Sequence, residues 1–99
     1  MALSKEAQEF KNTLREQEPD NAWSNSLKAL WWDAKGDWNR AHDLVDGYGT
    51  SDANAVHAYL HRKEGDTWNA NYWYDKAQKP FFKGALESEW QALLEEFLP

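Results

Sequence analysis

The stretch VHAYLHRKEGDTWNANYWY, residues 56–74, decides how the rest of the chain is read. Val56, Tyr59 and Leu60 recur at helical spacing, and Gly65 is the residue type best suited to the left-handed conformation that ends a helix. Asp66 then offers a side-chain oxygen to the first turn of a second helix, which carries Ala70, Trp73, Tyr74 and Ala77 as far as Pro80. No alternation of period two runs through the segment, so it predicts two helices joined by a two-residue turn. The same punctuation stands 29 positions earlier, at Gly36-Asp37. In that register Leu27 falls on Val56, Ala29 on Ala58, Trp31 on Leu60, Ala41 on Ala70, and Leu44-Val45 on Trp73-Tyr74. Two helical hairpins in tandem are implied, with small alanines where paired helices approach closely.

Outward from the hairpins the pattern stays helical. Leu3, Ala7, Phe10 and Leu14 predict a first helix with Ser4 as N-cap, ended by Pro19. Asp20 or Asn21 is the expected start of the second, with Trp23, Leu27, Leu30, Trp31 and Ala34 as one stripe up to Gly36. Asp37 caps a third helix that packs Trp38, Ala41, Leu44, Val45 and Tyr48 and breaks over Gly47 and Gly49; Thr50, Ser51 or Asp52 caps the fourth. The apolar turn Lys79-Pro80-Phe81-Phe82 is expected to fold back on the core. A sixth helix after Gly84 shows Leu86, Trp90, Leu93 and Phe97 on one face, with Glu87, Glu89, Glu95 and Glu96 elsewhere. The expected fold is thus all-α, about six helices in one domain over 1–99: an N-terminal helix in 1–19, hairpins in 20–49 and 50–79, and a C-terminal helix in 80–99.

Ninety-nine residues suffice for one small domain, in which every large apolar side chain counts. Seven Trp, four Tyr and four Phe with no Cys point to a core of bulky rings and rule out disulfides and thiolate metal sites. A secreted chain of this size usually needs covalent staples, so the cytoplasm is the expected compartment. The net charge of −6, with basic residues scattered singly, argues against nucleic acid as a partner. The opening Met1-Ala2-Leu3-Ser4-Lys5-Glu6 is too polar for a signal peptide and no segment approaches the length of a membrane span, so the chain reads as soluble, unprocessed and free of membrane.

Gly36-Asp37-Trp38 with Ala41, and Gly65-Asp66 with Ala70 and Tyr74, together with Ala29 and Ala58 in the preceding helices, resemble the tetratricopeptide helix pair. The run from His57 to Tyr74 also resembles a block of small helical proteins and implies no activity. The first resemblance implies tandem hairpins and a non-enzymatic role in binding a protein or peptide. Two repeats are fewer than a solenoid needs, so the flanking helices or a second copy of the chain, as in a homodimer, must cover the exposed faces.

Chemistry concentrates on the fourth helix. His57 and His61 are four apart and share a face that Glu64 continues, the spacing at which two imidazoles hold one zinc or similar divalent ion if another helix supplies a third ligand. His42 and Asp43 are the candidates, with His42, His57 and His61 the expected metal set of the alternative reading, a small-ligand or metal-binding protein. Without metal, the same face predicts a pocket for a small anionic ligand or peptide end, with Arg62 as a planar fork, Asn69 as an amide and Tyr72 as a hydroxyl on an apolar ring. Trp32 and Trp68 lie off the inner stripes, and Trp32 occupies the repeat position of His61, so it joins the expected binding surface. The interaction module, binding no cofactor, is the leading expectation. Catalysis is the lesser one: no nucleophile elbow, phosphate-cradling loop or dinucleotide fingerprint is present.

Overall fold

A computed structural model describes residues 3–99; Met1 and Ala2, the start of the expected first segment, lie outside the described residues. Among those described there are six α-helices and no strand: α1 (Lys5–Asn12), α2 (Asn25–Ala34), α3 (Trp38–Val45), α4 (Ser51–Glu64), α5 (Thr67–Ala77) and α6 (Leu86–Phe97). Helices α2 and α3 pack on each other, as do α4 and α5, and α4 also touches α2, α3 and α6. It is the central strut of a globule measuring 33 × 29 × 23 Å.

Local chemistry explains where the helices begin. Ser4, Asp37, Thr50 and Asp66 accept from the backbone N–H of Ala7, Arg40, Ala53 and Asn69, three residues on, satisfying a donor that the first turn leaves orphaned. The two Gly-Asp turns share one backbone conformation, with φ +88° at Gly36 and +89° at Gly65. Both glycines there supply the left-handed residue that a side chain would strain.

Three boundaries differ from the sequence expectation. The first helix stops at Asn12 and continues only as a 3-10 turn, Thr13–Arg15, well short of Pro19. There Lys35 Nζ donates to the carbonyls of Leu14 and Glu16, and Trp31 Nε1 to the Thr13 hydroxyl, so contacts from α2 replace the missing helical bonds. The second helix starts at Asn25 instead of next to Asp20 or Asn21. Asp20 turns the chain on itself, accepting from Ala22 N, and Ser24 makes the cap through Leu27 N; Trp23 therefore leaves the helical stripe and stacks on Phe10 with centroids 4.7 Å apart. Third, α3 ends at Val45, and Tyr48 lies exposed between Gly47 and Gly49, both at positive φ.

The core joins Phe10, Leu27, Leu30, Trp31, Val45, Val56, Leu60, Trp90 and Leu94, and a second cluster joins Ala58, Ala70 and Tyr74 with the returning Phe81 and Phe82. Ala29, Ala41, Ala58 and Ala70 have no exposed surface, as expected of close-approach positions. On α4 every residue from Ala53 to His61 is buried, because the helix has neighbours on all sides. Its apolar run is interrupted only by Asn54, His57 and His61, so the fold takes two imidazoles into its interior.

Two carboxylates are interior as well. Asp33 accepts from Tyr59 OH at 2.6 Å and Lys63 Nζ at 2.8 Å. Glu89, expected off the apolar face of α6, is 3% exposed and accepts from Tyr74 OH at 2.5 Å. Burial raises its pKa above the ordinary carboxylate range, against the opposing pull of that bond and of Arg62. No helix of the described residues is long and apolar enough to cross a membrane.

Candidate metal centre

The i, i+4 spacing on α4 sets His57 and His61 one above the other, with ring centroids 4.9 Å apart and planes 28° from parallel. Helix α3 crosses this face and brings His42 edge-on to both, at 4.6 Å from His57 and 5.2 Å from His61. One ring nitrogen from each of the three lies within 4.8 Å of the others. A tetrahedral ion with metal–nitrogen bonds near 2.0–2.1 Å needs donors about 3.3 Å apart, so modest side-chain rotation closes the set.

Stacking sets the planes of two of the rings. Trp73 of α5 stacks on His57 at 3.9 Å and 15°, and Trp38, one turn before His42 on α3, stacks on that imidazole at 4.9 Å and 10°. Trp38 is itself anchored by its Nε1 donating to the Leu60 carbonyl at 2.9 Å. The sequence places these two tryptophans on core stripes, yet Trp38 and His42 are also an i, i+4 pair, which links one of them to the site.

Two of the three side chains are set up to act as ligands. His61 Nδ1 lies 2.6 Å from Glu64 Oε2. A carboxylate only accepts, so that nitrogen carries a proton and Nε2 is the nitrogen left to face an ion, the arrangement in which an outer carboxylate orients a metal-bound imidazole. His57 is 2% exposed, and burial, with His42 and His61 beside it, holds its pKa down at about 4 although Asp46 pulls the other way. It is neutral at pH 7, as a ligand must be. Its Nδ1 is buried with no hydrogen-bond partner, a costly state for a polar atom.

The other expected site residues do not join this group. Arg62 turns toward α6, donating to the Gly84 carbonyl and pairing with Glu89 at 3.5 Å, so its fork is taken up inside the protein. Asn69 folds onto the Asp66 cap at 2.7 Å, and those bonds hold the Asp66 carboxyl below its ordinary range. Trp32 stacks edge-on against Trp31 and lies under Arg40, 4.2 Å from its guanidinium carbon. Tyr72 reaches the histidines only through Trp73, edge-on at 5.0 Å. Sizeable clefts lie elsewhere, one of about 360 Å³ over Phe10, Trp23 and Leu27 and one of about 300 Å³ beside Asp33, Tyr59 and Trp90.

Comparison with known protein families, with characterised proteins and with solved structures finds no match for this chain.

Proposed function

We propose that this protein binds a divalent transition metal through His42, His57 and His61. The observation that carries the reading is a set of three convergent imidazoles, two buried and His42 half-buried, in which buried His57 Nδ1 has no hydrogen-bond partner. A structural histidine network would spend those nitrogens on protein donors or acceptors. Three imidazole ligands suit zinc, copper, nickel and cobalt over the hard oxygen-seeking ions, and three protein ligands leave the fourth position of a tetrahedral ion open. Glu64 acts from outside, holding the His61 tautomer.

Because His42 is on α3 and the other two ligands are on α4, bound metal ties the two helix pairs together and stabilises the fold by mass action, about 2.7 kcal/mol at a hundredfold excess over the dissociation constant. The test is a thermal melt with zinc, nickel, cobalt or copper, on wild type and on His42→Ala, His57→Ala and His61→Ala. A shift that each substitution removes supports the site, and the visible spectrum of bound cobalt reports its coordination number. No shift in wild type, or an equal shift in all four proteins, would remove it. The protein-binding reading retains one favourable observation, the exposed Trp68 and Tyr72 on α5, and is tested by whether their replacement abolishes capture of a partner by the folded protein.

A further inference from the structure

Trp68 is 74% exposed and Tyr72 43%, an unusual use of two large rings on a chain that needs its aromatics for the core. They are not isolated. Trp68 and Tyr72 stack at 6.1 Å and 13°, Tyr72 meets Trp73 edge-on at 5.0 Å, and Trp73 lies flat on His57 at 3.9 Å. A continuous file of rings therefore runs from an imidazole of the metal centre to solvent. Electron transfer weakens steeply with distance, so several short steps between oxidisable rings outrun one long step. Indole and phenol are the most readily oxidised of the ring side chains, and a Phe at any link would serve packing equally well.

Resting on the metal reading, we propose that the centre takes copper and that Trp73, Tyr72 and Trp68 carry oxidising equivalents from it to the surface when the reduced metal meets a peroxide. Copper stands highest in affinity among the divalent ions such a nitrogen set accepts, and it has an accessible one-electron couple that zinc lacks. Cu(I) and Trp73 each give one electron to hydrogen peroxide and its O–O bond breaks. The Trp73 indole proton and one proton from solvent complete two waters, leaving Cu(II) and a neutral Trp73 radical. Tyr72 then gives an electron and its phenolic proton to Trp73, and Trp68 in turn restores Tyr72. The indolyl radical left at Trp68 is quenched by an external one-electron donor such as ascorbate. The file thereby spares the ligands from oxidation.

The test loads the full chain with Cu(II), reduces it with ascorbate, removes the excess and adds one equivalent of hydrogen peroxide. Freeze-quenched paramagnetic resonance and peptide mass spectrometry read where oxidation ends. In wild type it concentrates on Trp68. In Tyr72→Phe, whose copper binding is checked by its spectrum, oxidation at Trp68 falls to the level of the zinc-loaded protein, and oxidation at Trp73 and His57 rises. Copper bound as in wild type, with Trp68 oxidation indifferent to Tyr72→Phe, would overturn the relay and leave the metal centre standing; the exposed rings would then be a docking face. Failure of wild type to bind copper while it binds zinc would overturn the relay alone, and failure to bind any metal would take both readings down together.

Discussion

Acidification of the metal-free protein should destabilise it through one residue, His57. The imidazole has an ordinary pKa of 6.5 in the unfolded chain and about 4 in the fold, where burial and the neighbouring histidines oppose its charge. Above pH 6.5 both states are neutral at this site and it imposes no penalty. As pH falls below 6.5 the unfolded chain takes up a proton that the folded one refuses, so stability declines until the folded group titrates near 4. Each pH unit inside that window is worth about 1.4 kcal/mol, so the drop between pH 7 and pH 5 is about 2 kcal/mol, reached before most carboxylates protonate. The assay is urea unfolding at half-unit pH intervals, comparing wild type with His57→Gln, which fills the site without titrating. A loss of about 2 kcal/mol displaces the midpoint by roughly 1 M urea. Wild type and His57→Gln should differ in the slope of stability against pH, whatever their offset at pH 7. Parallel curves between pH 7 and pH 5 would refute the reasoning, because the folded imidazole would then be accepting its proton at no cost.

The remaining expectations concern the scaffold. Ala70 is completely buried against Ala58 and Tyr74, so Ala70→Leu should overpack α4 on α5 and cost about 1–3 kcal/mol in a thermal melt; a variant melting with wild type would mean the two helices are not in close approach. Gly65→Ala should cost about 1–2 kcal/mol through backbone strain alone, since φ is +89° and nothing lies within 4 Å of the added carbon; denaturant unfolding that found no loss would contradict the left-handed cap. Tyr74→Phe removes the 2.5 Å donor from buried Glu89 and should cost about 1–3 kcal/mol at neutral pH, with unchanged stability indicating that water reaches that carboxylate.

Helix content was legible because it depends on near neighbours in the chain. Ser4, Asp37, Thr50 and Asp66 cap the turns that follow them, and Gly36 and Gly65 end helices by a property of their own backbone. The misreadings came where distant groups compete with local ones. Asp20 looked like a cap from sequence, but Ser24 wins three residues before Leu27, and Trp23 is drawn off to Phe10. Glu89 lies off the apolar face of α6 by its spacing, yet Tyr74 and Arg62, from two other helices, give it partners inside.

The same division holds for the site. From sequence alone came a face with His57 and His61 four residues apart, Glu64 one turn on, and His42 as a third ligand on a neighbouring helix, since a helix's period dictates which side chains share a side. Helix packing decided the rest: that this face is interior, that His42 reaches it, that Trp38 and Trp73 clamp the rings, and that Arg62 points away into an ion pair with α6. Periodicity is a property of one helix, whereas the angle at which α3 crosses α4 depends on every side chain between them, and no local spacing encodes it.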